Sequence, residues 1–593
     1  MSAEGRSVPA WAWLGLLAAL VLDFWLRAHT FGPTLRDRLG LQLWPVSGVE
    51  SEPLDCDESA YAYIGRRLVH GDVLYRDVTE NKPPLGYWIY TLAVAVGGAQ
   101  ELTIRVMPIP MVLATIALLW WIALRLAGPT AACLAAGIYA VASTDPYLYG
   151  NGANLEHAMN LFSVASLVAM VWSWPRAGRA GLVAAGAFVG LASLVKQPAA
   201  VHLPLYALAL WLRERQAGPD RNRLSDLIAL GLGFAAVWIV AIGILVAQGA
   251  GAAAFDDIVR YGGALAADTP ADPHAPPFLI RWVTGNADPE GKLPWPFGPT
   301  KWLVWWGTGT WPLWLATLPS LAWLLVGPTS GPRRLSAGWT LSAWLQAALP
   351  RLFWAHYYLL PLPGIALCVA VLLDDALALC RPPEKTIERE VGGRPFARPP
   401  RPPNRRGARL LWTVVTSALI AALGWTAFIH VRDYLLVRPQ ELTVRYKGGG
   451  QWIAQRQLGR MLGRRARIWP SPRLFVWGWQ SPLYLYSGLD GVTPHFFADP
   501  LLKAFAESDH PLIRPRIERI IRDLRARPPE LIFVGDPPFP ALRAFLIEHG
   551  YRRSRLGFVP PGGPSSPDMR GLWVEPRRFE QFEGTTSLSA AGR

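Results

Sequence analysis

The chain has 593 residues, more than one ordinary globular domain needs, and 51% of them are hydrophobic. Its mean hydropathy is nevertheless only slightly positive, because long apolar runs alternate with polar stretches rich in Arg and Pro. The net charge of +15 would point a soluble protein toward nucleic acid, but here the basic residues sit mostly at the ends of apolar runs and toward the C-terminus. Membrane orientation explains that placement better, and the 29 Trp fit the same reading, since an apolar ring with a polar N–H suits the membrane interface. The four cysteines, Cys56, Cys133, Cys368 and Cys380, are scattered and show neither metal-ligand spacing nor a disulfide framework.

In chain order, the apolar runs are Pro9–Trp25, Thr103–Leu124, Ala131–Ser143, Ala158–Trp174, Ala180–Val195, Ala199–Leu212, Leu227–Ala247, Trp302–Val326, Leu335–Leu349, Tyr357–Leu373 and Leu410–Val431. A helix needs about 20 apolar residues to cross the hydrocarbon core, so these predict about eleven spans, the shorter ones completed by flanking residues. The first run has no small-residue cleavage site after it and is expected to be an anchor. Pro83–Gly98 opens with Pro-Pro and carries Tyr87, Trp88 and Tyr90, which predicts an interfacial or re-entrant segment and not a span. With the N-terminus cytoplasmic, the basic loops at Arg125, Arg176, Arg213 and Arg333 and the Pro- and Arg-rich linker 381–409 then all fall on the cytoplasmic side.

The expected fold class is mainly α: a polytopic membrane helical bundle over 1–431, followed by a small extracytoplasmic α/β domain over 432–583 and a loose tail at 584–593. The polar loops 28–82 and 248–301 lie on the outer side. In the C-terminal region Arg473–Trp477 and Glu530–Val534 read as buried strands, and Leu512–Arg525 as a basic amphipathic helix.

The first outer loop is the most informative segment. It carries Asp55-Cys56-Asp57-Glu58, several tyrosines, and Glu80-Asn81-Lys82-Pro83-Pro84-Leu85 before the interfacial aromatics. Adjacent acids at the mouth of a membrane bundle suit a general base or metal ligands. A lysine fixed beside Pro-Pro at the bilayer surface suits a lipid phosphate. Cys56 reads as a spectator thiol, and Asp23 with Arg27, four apart on one helix face, as a structural pair.

These elements, in this order, resemble the polyprenol-phosphate-sugar-dependent membrane glycosyltransferases of the GT-C fold, in particular glycosyltransferase family 39 (the protein mannosyltransferases) and the lipid A aminoarabinose transferases. The resemblance is carried by Asp57-Glu58 after the first span, Lys82-Pro83-Pro84-Leu85, Arg105 before Met107-Pro108, Asn154-Leu155-Glu156, Lys196-Gln197-Pro198, Arg351, His356-Tyr357-Tyr358, and Val476-Trp477-Gly478-Trp479 with Tyr484-Leu485-Tyr486-Ser487-Gly488. It implies an inverting transfer from a sugar on a polyprenyl phosphate to a hydroxyl or amine of a lipid, glycan or protein acceptor on the outer face of a bacterial inner membrane. Asp57 and Glu58 would serve as base, or as ligands of a divalent metal ion. Lys82, Lys196, Arg351, His356 and Tyr357 would bind the donor phosphate, and Glu156 with Asn154 the sugar or acceptor. Membrane lipids are implied partners and nucleic acid is not. The chain departs from the aminoarabinose transferases at Asn81: those carry an acid directly before the lysine, whereas here Glu80 stands one residue earlier. Two other classes differ on specific features. A transporter predicts charges at mid-membrane and repeated halves, and no repeat is visible. A polysaccharide polymerase or ligase shares the outward-facing loops but takes a diphosphate-linked donor.

Overall fold

A computed structural model of the chain describes residues 8–46, 48–174, 178–212, 223–268, 310–327, 329–350, 352, 354–380, 406–556 and 569–584. Arg351, most of the basic linker 381–409, the loop 248–301 beyond residue 268 and nearly all of the tail 584–593 lie outside the described residues. The chain divides into two compact units, one made of 1–51, 105–240 and 274–442, the other of 52–104, 241–273 and 443–593.

The first unit is helical. All eleven apolar runs of the sequence fall mainly on helices where they are described. Among the described residues, five helical stretches are long and apolar enough to cross a membrane: Ala10–Leu39, Glu101–Leu126, Arg223–Ala247, Ala355–Cys380 and Trp412–Leu436. Pro129–Ala142, Ala180–Val195 and Trp311–Val326 are shorter apolar helices. Without water to drive helices together, close packing inside a bilayer relies on small residues that let backbones touch. The helices Ala180–Val195 and Arg223–Ala247 do this through two glycines. A Cβ on Gly186 would stand 1.9 Å from the Leu230 carbonyl oxygen, and one on Gly233 would stand 2.0 Å from that of Val183. Ala185, Val189 and Ala192 join Leu230 and Ala229 in the same buried cluster or beside it.

A buried polar network fixes one end of this bundle. Arg27 donates to Asp23 at 3.0 Å, to the Gly150 carbonyl at 2.6 Å and to the Ser143 carbonyl at 2.9 Å. The pair expected to be structural therefore also ties down the loop between residues 143 and 154. Asp145 in that loop accepts from Thr310 and from the Tyr147 amide, and Tyr434 donates to the Thr144 carbonyl.

The second unit combines helices with a four-stranded sheet. The strands are β1 (Leu474–Trp477), β2 (Leu531–Val534), β3 (Arg552–Arg553) and β4 (Gly571–Val574), in the order β1-β2-β4-β3. β1 and β2 run parallel with Leu474 opposite Leu531, and β4 lies antiparallel to both β2 and β3. Every residue of β1 and β2 is buried, which is why both read as unbroken apolar runs. The amphipathic helix spans Arg514–Ala526, placing Ile520, Ile521 and Leu524 in the core with Phe475, Ile532 and Phe545 while its arginines stay mostly on the other face. The segment after Pro-Pro is a 13-residue helix, Leu85–Gly97. It packs on the helix Cys56–Val69, where Tyr61 contacts Tyr87 and Tyr90 at ring distances of 5.8 and 5.4 Å.

Candidate functional site

The residues singled out in the sequence fall into two clusters, one in each unit. In the second unit, Asp55 is the N-cap of the helix Cys56–Val69, which starts there because Asp55 and Glu58 form a capping box. Asp55 accepts from the Glu58 amide at 2.9 Å, and the Glu58 carboxylate accepts from the Asp55 amide at 3.0 Å. One oxygen of the fully buried Glu58 is therefore committed to the helix start. The Asp-x-x-Glu spacing was a visible signal for this. Asp57 sits in the same first turn, half-buried, with its carboxylate near the positive end of the helix. Desolvation, then the neighbouring Glu58 and Asp57 charges, pushes the Asp55 carboxyl well above the usual carboxylate range. Desolvation with the charges of Asp57 and Asp55 also pushes the Cys56 thiol well up, so it stays protonated at neutral pH and is a poor metal ligand.

Lys82 is held from three sides within this unit. Its ammonium donates to Glu80 at 2.7 Å and lies over the Tyr61 ring at 5.3 Å, while its carbonyl accepts from the Tyr75 hydroxyl at 2.7 Å. Tyr75 reaches it from a left-handed backbone position (φ 68°) in a tight turn where its amide donates to Val78. Glu80, two residues before Lys82, thus contacts the ammonium although the adjacent position is Asn81. Tyr61 lies one helical turn beyond Asp57, and Tyr87 beside it feels the charges of both Glu80 and Asp57. These contacts bring Glu80 and Lys82 beside Tyr61 and Tyr75, and the Asp57 charge reaches Tyr87.

In the first unit, Lys196 ends the helix Ala180–Val195 and Glu156 begins the helix Glu156–Ser173. The two side chains form a buried ion pair. The Lys196 ammonium lies over the Tyr357 ring at 5.1 Å, and His356 Nε2 is 4.0 Å from the same Glu156 oxygen. His356 packs edge-on against Tyr357 and Tyr149. Tyr149 has a left-handed backbone (φ 57°), and Asn154 steadies it by donating to its carbonyl at 2.9 Å. Asn160 donates to the Leu359 carbonyl at 2.9 Å, which fixes the 3-10 segment Ala355–Leu359 carrying His356 and Tyr357. Glu156, Lys196, His356 and Tyr357 are therefore brought together, with Asn154 supporting the loop beside them. The second Glu156 oxygen is buried with no hydrogen-bond partner among the described residues. Leaving such an acceptor unmet costs about 1–3 kcal/mol.

Among the described residues, no three His, Cys, Asp or Glu side chains converge as metal ligands. Glu58 has one oxygen engaged in the helix cap, and Asn81 stands directly before Lys82.

Residues 81–245 match the family described as dolichyl-phosphate-mannose-protein mannosyltransferase. That segment contains Lys82, Glu156 and Lys196. No curated protein matches the chain. Among solved structures, ArnT from Cupriavidus metallidurans bound to undecaprenyl phosphate aligns with a TM-score of 0.51 at 14% identity, over 96% of this chain and 98% of that one. The same protein in the apo state aligns with a TM-score of 0.50 at 16% identity, over 95% of this chain and 98% of that one. The chain is thus an integral membrane protein with the GT-C fold, whose residues 81–245 match the model of the dolichyl-phosphate-mannose-protein mannosyltransferase family.

Proposed function

We propose that this protein is a membrane glycosyltransferase that takes a sugar from a polyprenyl-phosphate donor and delivers it, with inversion at the anomeric carbon, to a hydroxyl or amine acceptor on the outer face of a bacterial inner membrane. The observation that carries the reading is Lys196: a buried cation on an aromatic ring, whose counter-ion Glu156 keeps one oxygen without a hydrogen-bond partner. Such an arrangement suits a lipid phosphate at Lys196 and a sugar or acceptor hydroxyl at Glu156. The undecaprenyl phosphate bound by ArnT supports a lipid phosphate as the leaving group here.

In this reading Asp57 takes the proton of the acceptor, whose oxygen or nitrogen forms the new bond to the anomeric carbon. The bond from that carbon to the phosphate oxygen breaks, and the lipid phosphate leaves with one more negative charge. Lys196 neutralises that charge, with His356 and Tyr357 beside it completing the phosphate contacts. Fixed cations where charge develops are usually the largest catalytic term.

The test compares the wild type and Asp57→Asn, purified in detergent, with a panel of polyprenyl-phosphate sugars and membrane extract as the acceptor source. Transfer by the wild type with a drop of at least about a hundredfold in the variant is the range for a lost general base. Equal transfer by both would remove Asp57 from the chemistry. Absence of transfer from every monophosphate donor by folded protein would refute the donor assignment and favour a diphosphate-linked one.

A further inference from the structure

The second unit holds a small polar cavity that the proposed chemistry does not use. It has a volume of about 30 Å³ and is lined by Glu80, Asp257, Tyr261, His495, Asp499 and Arg516, among others. Asp257 and Tyr261 belong to a π-helical turn, Asp256–Tyr261, a rare geometry that recurs at functional sites. Arg516 comes from the helix Arg514–Ala526 and spends its donors locally. It bonds Asp256 at 2.6 Å, Asp257 Oδ1 at 2.7 Å and the Leu512 carbonyl at 2.7 Å, with its guanidinium 4.3 Å from the Tyr261 ring centre. The Tyr261 hydroxyl in turn donates to Asp499 at 2.8 Å.

Not every acid around this cavity has a cation of its own within ion-pair distance among the described residues. Glu80 is matched by Lys82, and Asp256 by Arg260 as well as Arg516. Asp257 has only a share of Arg516, and Asp499 has Tyr261 and the Leu502 amide but no cation among the described residues. Burial keeps His495 neutral, its pKa pulled down to about 3, so it adds no positive charge. The second independent sign is Asp257 Oδ2. Asp257 is 6% exposed, lines the cavity, and has no hydrogen-bond partner for that oxygen among the described residues. A buried carboxylate oxygen left unmet is costly, and a donor carrying positive charge satisfies it best. The volume admits one or two water-sized groups, enough for an ammonium.

We propose that this cavity is a subsite for a primary ammonium group on the acceptor, held by Asp257 and Asp499 with Glu80 completing the oxygen lining. The word acceptor rests on the glycosyl-transfer reading; the recognition of an ammonium group does not. An amino sugar and a lysine side chain both present this chemistry.

The experiment titrates the full-length protein in detergent, at fixed ionic strength, with glucosamine, with Nα-acetyl-lysine amide and with neutral N-acetylglucosamine, reading apparent Kd from the shift in melting temperature. An amine should bind at least about tenfold more tightly than N-acetylglucosamine, the factor expected for one charge-assisted hydrogen bond, and the tighter amine identifies the source. Asp257→Asn and Asp499→Asn should each weaken that binding by about tenfold or more. They alter different hydrogen bonds, so either variant serves if the other fails to fold. Equal binding of the neutral sugar, or amine binding unchanged in a folded variant, overturns the proposal. Because the readout is binding, an active enzyme without amine preference sinks only the subsite. Amine binding by a protein inactive with every donor sinks only the transferase reading.

Discussion

Two buried groups in one pocket titrate in opposite senses, and substituting one of them should expose the other. Burial lifts the Asp257 carboxyl from 3.8 to about 7 against the pull of Arg516, and pulls His495 from 6.5 to about 3. For Asp257 the folded state holds its proton longer than the unfolded chain does. The resulting stability is fully present below about pH 4 and is lost as pH rises through about 7. For His495 the folded state refuses the proton, so its contribution is present above about pH 6.5 and is lost as pH falls toward about 3. Between pH 4 and 6.5 each contributes a slope of about 1.4 kcal/mol per pH unit, of opposite sign, so the two nearly cancel in the wild type. Asp257→Asn removes the falling limb and keeps an acceptor for Arg516. Relative to the wild type, the variant should gain about 3 kcal/mol on going from pH 4 to 6.5. His495→Gln should lose a similar amount over the same range. Since a chain of two units need not unfold in one step, the quantity to follow is the difference between variant and wild-type melting temperatures in the same detergent at each pH. At about 2–4 °C per kcal/mol for 150–250 residues, the difference should move by several degrees. Parallel melting profiles for Asp257→Asn and the wild type from pH 4 to 7 would refute the placement of a desolvated carboxyl there.

Lys196→Met should leave the Glu156 carboxylate buried without its cation, a loss of about 3–5 kcal/mol. Adding Glu156→Gln should recover most of the melting temperature without recovering transfer; recovery of both would make the pair purely structural. Gly186→Leu and Gly233→Leu should each fail to give folded protein, because a side chain must occupy the space of a facing carbonyl. Gly231→Ala, with nothing within 4 Å of its added Cβ, should be stable to within about 1 kcal/mol of the wild type, as size-exclusion profiles and melting would report. Glu58→Ala should cost about 1 kcal/mol through the lost capping box and lower transfer far less than Asp57→Asn. A larger catalytic loss at Glu58 than at Asp57 would exchange their roles.

The sequence by itself determined the elements whose cause is local. Where they are described, the apolar runs fall mainly on helices, because a backbone buried in apolar surroundings must satisfy its hydrogen bonds within the segment. β1 and β2 were legible as short all-apolar runs, and Arg514–Ala526 as an apolar stripe at helical spacing beneath a basic face. The Lys-Pro-Pro element stood out in the sequence, and Glu156 and Lys196 did so through the family resemblance. Their partners did not. Glu156 and Lys196 stand 40 positions apart, and Asp257 and Arg516 stand 259 apart; only the packing of their helices brings the charges into contact. The packing also decided that Glu80 reaches Lys82 past Asn81, and that residues 52–104 and 241–273 join 443–593 in one unit. Burial is a property of the assembled chain. In the fold Asp257 loses water, shares Arg516 with Asp256 and is left with one oxygen that has no hydrogen-bond partner among the described residues.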